Sequence, residues 1–290
     1  MTTENSNDVE YTVLFRRTLE EEGEFEVCKK HLFTVESRVC IANVYPERQS
    51  VVIGRYSVLP YYQELENDVS LSVNARLINS HNEHKFIADA MSWGSEGGIL
   101  SGLTPKTWSG EYYNLPEGSY IIKGKTNSRK NKWSTHMFAE AKSDIGKVVN
   151  RLMDDAFIAD QGYVIREYVP LKKLGEPGIG GIPVTNEWRT FWIDTFDGPV
   201  MLAKGFYWAS HPEVRSLAHI PDEIVSTLAA KAAKRIARYA TFFVLDLAET
   251  ESGDWIVIEV NDAQMSGLSC VDPEELYKNM AKYSTKVRLK

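Results

Sequence analysis

The chain has 290 residues, a length that favours two lobes sharing a cleft over a single core. Its composition, with 43% hydrophobic and 25% charged residues, is that of a folded globular protein and argues against disorder or a fibrous repeat. The formal net charge of −7 lacks the basic surplus of proteins that bind a nucleic-acid backbone, so we predict no nucleic-acid partner.

No apolar run reaches the roughly 20 residues needed to cross a bilayer, and the first residues are polar and acidic. We therefore expect a cytoplasmic protein with no membrane partner. The three cysteines, Cys28, Cys40 and Cys270, are too scattered for a disulfide framework or a metal motif. They indicate reduced, mostly buried thiols.

The first part of the chain predicts a disordered tail at residues 1–10 and then a small α/β lobe. Residues 11–15 indicate a buried strand, and EEEGEFEVCKKHL a helix. β patterns return in RVCIANVY and SVVIGRY, and a helical pattern in HNEHKFIADAMSW. The stretch GILSGLTPKTWSGEYYNLPEGS, rich in glycine, serine and proline, interrupts the periodicity. We place the domain boundary there, between a lobe at 11–112 and a second domain at 113–290.

The second part alternates strand and helix patterns more clearly. SYIIKGK predicts a strand ending in two lysines, TNSRKNKW a basic loop, and STHMFAEA a returning strand. A helix capped by Ser143 follows, and then the strand GYVIREYVP, which Pro170 ends. LGEPGIGGIP predicts a loop, and WRTFWID and VMLAKGFYW two strands. A helix at about 221–239, the strands FFVLDLA and WIVIEVN, and a short helix complete the chain.

The strongest local pattern is the pair FFVLDLA and WIVIEVN, which predicts a β-hairpin with a two-residue turn at Ser252 and Gly253. That turn pairs Asp246 with Glu259, and alternation puts Asn261 on the face of Glu259. Facing carboxylates repel unless a cation lies between them, and carboxylate and amide oxygens suit Mg²⁺. We therefore predict a Mg²⁺ site at Asp246, Glu259 and Asn261. The alternative is a solvated acidic face, which the surrounding apolar residues disfavour.

Magnesium in such a site is completed by phosphate oxygens, so cations able to hold a nucleotide are expected nearby. Lysine offers a mobile point charge and arginine a planar fork, and both suit phosphate. The candidates are Lys123 and Lys125 at a strand end, Arg129, Lys130 and Lys132 in the loop beyond it, and Arg189 and Lys204 on later strands. The alternative for the loop is an ordinary solvated charge run.

Taken in order, the segments from about Ser119 to Gly267 resemble the ATP-grasp superfamily, in which two α+β subdomains hold ATP between them. The resemblance rests on IIKGK, TNSRKNKW, VIREYVPL, VLDLA and VIEVN, and the EVN triplet after an aspartate-bearing strand is its most specific part. It implies an α+β or α/β chain with an ATP-grasp fold and a small N-terminal α/β pre-ATP-grasp domain, similar to compact bacterial and phage-borne members. The basic loop departs from the family's glycine-rich phosphate loop.

The resemblance also implies ATP and Mg²⁺ as cofactors and a role for each candidate residue. Glu167, Tyr168 and Val169 would border the adenine, and the alternative for Glu167 is an edge-strand salt bridge. The phosphates would lie on Lys123, Lys125, Arg129 and Lys130. The transferred phosphate and the tetrahedral intermediate would lie on Arg189, Lys204 and Lys125.

The implied reaction joins a carboxylate to an amine through an acyl phosphate and releases ADP and phosphate. Small-molecule or peptide substrates would lie near Asp262, Gln264 and Ser266, for which an ordinary polar loop is the alternative. LGEPGIGGIP is either a lid or a surface loop. A kinase using the same cleft, or a non-catalytic ATP-binding regulator, remains open. A ligase that adenylates its own lysine is less favoured, because KGKTN lacks the expected pattern.

Overall fold

A computed structural model describes residues 10–16, 23–31, 34–38, 50–55, 62–71, 74–126 and 128–290 of the chain. The predicted tail at residues 1–9 and most of the predicted strand RVCIANVY lie outside the described residues, as does Cys40. No helix in the described ranges is long and apolar enough to cross a membrane. Cys28 is buried, which raises the pKa of its thiol, and Cys270 is half-buried.

The N-terminal part forms a four-stranded parallel sheet in the order β2-β1-β3-β4. The run Val51 to Ile53 is buried throughout, as expected for a parallel strand covered on both faces. Ser80 and Glu83 form a capping box that begins α3. The elements are β1 (Glu10–Arg16), α1 (Glu24–Lys30), β2 (Thr34–Arg38), β3 (Ser50–Arg55), α2 (Tyr62–Ser70), β4 (Ala75–Leu77), α3 (His81–Ala88) and α4 (Ala90–Gly94).

The middle part forms a four-stranded antiparallel sheet in the order β5-β8-β6-β7. Its elements are β5 (Thr107–Trp108), β6 (Tyr120–Gly124), β7 (Phe138–Ala139), α5 (Ile145–Met153), α6 (Ala156–Gln161) and β8 (Tyr163–Glu167). The predicted strand STHMFAEA is mostly wrong, because Trp133–Met137 form a π-helical turn before the short β7. A 3-10 turn at Lys142–Asp144 precedes α5, so Ser143 is not its cap.

A small ribbon and a second antiparallel sheet follow. The ribbon consists of β9 (Lys173–Gly175) and β10 (Val184–Thr185), which is the segment predicted as a loop or lid. The sheet has the order β12-β11-β13-β14. The remaining elements are β11 (Glu187–Ile193), β12 (Val200–Phe206), α7 (Asp222–Ile224), α8 (Ala230–Ile236), β13 (Phe242–Glu249), β14 (Trp255–Asp262) and α9 (Pro273–Tyr283).

The hairpin of β13 and β14 places Asp246 opposite Glu259, as predicted, but its turn differs from the prediction. The turn is longer, since the N–H of Thr250 donates to the carbonyl of Asp254 at 2.8 Å, and Gly253 takes the left-handed φ of 90°. A β-bulge beyond Asp246 shifts the register by one residue. The longer turn and the bulge displace the pairing in opposite directions, so the predicted pair forms.

The last sheet is covered on both faces. One face shares a core with the N-terminal sheet, α1 and α9, through residues such as Val13, Phe191 and Tyr277. The other face packs against α8 and α4, through residues such as Trp93, Leu245 and Ile236. The predicted domain boundary at 112–113 stays a prediction, although β5 on its N-terminal side pairs with β8.

Candidate functional site

A cleft lies between the β6–β8 sheet and the β13–β14 hairpin. It encloses about 880 Å³ of empty space, counting the part open to solvent, which is the size of a small-molecule site. Its walls are mostly apolar, with charged groups at one end. The apolar lining includes Ile121, Met137, Val169, Leu171, Ile182, Trp208, Ile256 and Ile258.

Six of the predicted binding residues line this cleft: Lys123, Lys130, Glu167, Tyr168, Val169 and Glu259. They come from four separate segments of the chain, which only the folded sheet order brings together. Glu167 ends β8, so the segment predicted to border the adenine runs along the cleft where that strand stops.

Glu259 faces two lysines across the cleft. The Nζ of Lys123 lies 2.5 Å from one carboxylate oxygen of Glu259, and the Nζ of Lys130 lies 3.8 Å from the other. Burial alone raises the pKa of Glu259, but the two lysine charges outweigh it and hold that pKa well below its usual range. Glu259 is therefore an ionised oxygen ligand with cations around it.

Asp246 forms a buried, bidentate ion pair with Arg189, the residue opposite it on β11. The Nε of Arg189 donates to Oδ1 at 2.9 Å and its Nη2 to Oδ2 at 2.8 Å. The Nη1 of the same guanidinium donates to the carbonyl of Gly267 at 2.7 Å. The arginine therefore links the proposed metal strand to the loop that follows β14.

The donors on this face fit a hard divalent cation. Asp246 and Glu259 are directly opposed, and Asn261 opposes Val244 two residues further along the same face. The two carboxylates are matched by Arg189 and Lys123 on the protein side. Two carboxylates, an amide oxygen and adjacent cations form a set that suits Mg²⁺ together with phosphate.

Two acidic and aromatic residues at the same end were missed by sequence reasoning. Glu187 lines the cleft, and burial raises its pKa to about 7 although Lys130 opposes the shift. The hydroxyl of Tyr207 accepts from Lys130 at 2.7 Å, and its ring lies 4.9 Å from the Arg189 guanidinium carbon. Glu187 was recoverable from the sequence, because it lies two residues before Arg189 on the same strand. The predicted strand began one residue too late to include it.

Arg166 was also missed, because it reads as an ordinary polar residue beside Glu167. It is buried and lines the cleft, with its Nη1 donating to the carbonyl of Ile258 at 2.5 Å. Its guanidinium also lies 5.1 Å from the ring of Trp93, and burial lowers its pKa to about 10. Arg166 therefore ties β8 to the hairpin strand that carries Glu259.

Three predicted cations lie elsewhere. Lys204 opposes Thr190, so it lies on the sheet face away from Arg189, and its Nζ is 3.1 Å from the exposed Asp222. Its predicted catalytic role is therefore wrong. Lys125 pairs with Asp89 at 3.6 Å and Arg129 with Asp155, and neither lines the cleft.

The predicted substrate residues are internal. Asp262 accepts from Tyr62 at 3.0 Å and from the amide of Asn79 at 2.9 Å, and Gln264 accepts from the N–H of Gly54 at 2.9 Å. The hydroxyl of Ser266 donates to the carbonyl of Asp262 at 2.8 Å. Their predicted contact with substrate is wrong, because this network joins the N-terminal lobe to the end of β14.

A family model for an ATP-grasp domain, that of clade family 3, matches residues 110–280. The chain belongs to this ATP-grasp family. Membership and the mixed α+β architecture confirm the predicted fold class and superfamily. No curated protein sequence matches the chain.

Solved structures share this fold at low sequence identity. The D-cycloserine synthetase DcsG is 15% identical, with 94% of this chain and 99% of that chain covered and a TM-score of 0.58. The L-amino acid ligase from Bacillus licheniformis is 10% identical, with 97% and 77% covered and a TM-score of 0.55. The biotin carboxylase from Campylobacter jejuni, in a beta-gamma-ATP complex, is 12% identical, with 99% and 73% covered and a TM-score of 0.60. These likenesses show the fold.

Proposed function

We propose that this ATP-grasp protein is an ATP- and Mg²⁺-dependent ligase that joins a carboxylate to an amine through an acyl phosphate, releasing ADP and phosphate. One observation carries the proposal. Asp246 and Glu259 face each other at the charged end of a nucleotide-sized cleft, and each is paired with a cation of the chain. The solved DcsG and L-amino acid ligase structures, whose names describe ligation chemistry, support it by fold.

The adenine is assigned to the apolar end of the cleft, beside Glu167, Tyr168 and Val169. The N–H of Glu167 donates to Lys106 and that of Tyr168 to Ser119, so both are used within the protein. We therefore assign the N–H of Val169 as the donor to the adenine edge. Ile121 and Ile258 line the two faces of the slot, which suits a flat aromatic base.

The polyphosphate is assigned to the opposite end, on Lys123 and Lys130. Both lysines already lie near Glu259, so a nucleotide phosphate with its cation enters a region where charges of both signs are prearranged. Asp246, Glu259 and Asn261 would hold Mg²⁺, which when bound neutralises phosphate charge and polarises the transferred phosphoryl group. Lys125, Arg129 and Lys204 have no part in this assignment.

Arg189 is assigned to the transferred phosphoryl group. Its guanidinium is held by Asp246, by the Gly267 carbonyl and by the ring of Tyr207, so its orientation is fixed before substrate binds. A substrate carboxylate attacking the γ-phosphate is repelled by the phosphate oxygens. Fixed cations reduce that repulsion without reorganising during the reaction.

The test is ADP release with Mg²⁺ against panels of carboxylic acids and amines, with amino acids in both panels. The proposal predicts ADP release that requires one acid and one amine together, with a ligated product of the summed mass minus water. ADP formed with an acid or alcohol alone, at one ADP per phosphorylated product, would indicate a kinase. Nucleotide binding without ADP under every mixture would indicate a regulator.

A further inference from the structure

Trp208, which follows β12, combines burial with a missing hydrogen bond. It is 8% exposed and forms part of the cleft wall together with Trp133 and Ile182. Its indole Nε1 is buried and has no acceptor among the residues that the structure describes. Other tryptophans behave differently: Trp93 donates to the carbonyl of Ile87 at 3.0 Å, and Trp188 donates to Asn186 at 3.0 Å.

An unused buried donor is unfavourable, because the N–H has lost water and gained nothing in return. The hydrophobic contacts of Trp208 do not explain it, since a phenylalanine fills an apolar cluster without a polar atom. Trp208 packs with Phe206, Val184 and Val214. A tryptophan at this position therefore indicates an acceptor that the protein itself does not supply.

The neighbouring groups identify the end of the cleft concerned. The preceding residue, Tyr207, accepts the Lys130 ammonium at its hydroxyl, and Lys130 lies 3.8 Å from Glu259. The wall that contains Trp208 is thus continuous with the cationic end, where phosphate oxygens are assigned. The acceptor chemistry expected there is an anionic oxygen, which forms stronger hydrogen bonds than a neutral one.

The same residue touches the ribbon of β9 and β10. Ile182 and Val184 belong to the apolar cluster of Trp208, and Ile182 and Pro183 also line the cleft. A ligand oxygen bonded to the indole would therefore be covered by this ribbon. Such a bond would be formed in a water-poor place, where a hydrogen bond contributes most.

We propose that the indole N–H of Trp208 donates a hydrogen bond to a phosphate oxygen of the nucleotide bound in the cleft. The inference rests on the proposed nucleotide site. It adds to that site a neutral donor on the ribbon side, opposite the lysines of the β6 side. Trp208 is thus a nucleotide-binding residue as well as a member of the apolar cluster.

The test is Trp208→Phe, compared with Trp188→Phe as a matched control that loses a satisfied indole hydrogen bond outside the cleft lining. Without nucleotide, Trp208→Phe should melt at or above the wild-type temperature, because an unsatisfied donor is removed, whereas Trp188→Phe should melt lower. With Mg-ADP and with a non-hydrolysable Mg-ATP analogue, Trp208→Phe should lose affinity roughly tenfold. Trp188→Phe should keep wild-type affinity.

A second measurement follows the bond itself. The chain has 7 tryptophans, so ¹⁵N-labelled protein gives few indole N–H signals, and the one absent from Trp208→Phe is assigned to Trp208. That signal should move downfield when Mg-ADP is added. A stationary signal with unchanged nucleotide affinity in Trp208→Phe would overturn the inference. No binding of either nucleotide by the wild-type protein would instead overturn the proposed function.

Discussion

Asp246→Asn perturbs the most buried charge pair of the site. Both members of the Arg189–Asp246 pair are more than nine-tenths buried, with two hydrogen bonds between them at 2.8 and 2.9 Å. Removing one partner of a buried pair destabilises a protein by about 3–5 kcal/mol, because the other charge is left uncompensated. Asparagine keeps one oxygen acceptor, and Gly267 still accepts from Arg189. We therefore expect a loss near the lower end, about 3 kcal/mol.

The control is the double variant Arg189→Met with Asp246→Leu, which replaces the pair by apolar side chains of similar length. Gly267 is exposed, so water can satisfy the carbonyl that Arg189 leaves. The double variant should regain stability to within about 1 kcal/mol of the wild type, since apolar replacement of a buried pair is often neutral or better. It should nevertheless release no ADP.

The assay is urea unfolding followed by circular dichroism and tryptophan fluorescence, compared where the two transitions coincide. ADP release is measured on the same preparations. A single variant as stable as the wild type would refute the burial argument. Wild-type ADP release by the double variant would refute the roles of Asp246 and Arg189 in the reaction.

Three further predictions concern charge and register. Burial raises the folded pKa of Glu187 from 4.5 to about 7, so the protein loses roughly 3 kcal/mol of stability between those pH values as the unfolded chain ionises first. Glu187→Gln should abolish that loss in urea titrations at pH 5 and 8, and an unchanged pH dependence would contradict the assignment. Lys204→Ala should release ADP at the wild-type rate and stay within about 1 kcal/mol of wild-type stability, because its partner is a 98% exposed carboxylate. A loss of activity would restore its catalytic role. Asn79→Ala should destabilise the protein by about 2–4 kcal/mol, because it strands Asp262 and two amides of β13, and wild-type unfolding would contradict this.

The elements that the sequence predicted best are those whose pattern is local. Alternation in WIVIEVN and FFVLDLA located the hairpin, and the spacing of Ile145, Val148 and Leu152 located α5. The π-helical turn at Trp133–Met137 has no such local pattern. It follows the basic loop and was therefore predicted as strand from its apolar residues alone.

The site was predicted in part for the same reason. Asp246 and Glu259 pair within one hairpin, so their register follows from a short stretch of chain. Lys204 depends on which residue of β11 it opposes, which a strand pattern alone does not specify. Asp262 lies beside Asn261, but alternation turns it to the opposite face, where Tyr62 and Asn79 of the N-terminal lobe hold it.

The central claim is that Asp246, Glu259 and Asn261 hold the divalent ion of a bound nucleotide. The most direct measurement is a crystal structure with Mn²⁺ and a non-hydrolysable ATP analogue, using the anomalous signal of manganese. The account predicts a peak at about 2.0–2.3 Å from oxygens of these side chains and of the nucleotide phosphates. A peak bound to other side chains, or a nucleotide outside the cleft, would contradict it.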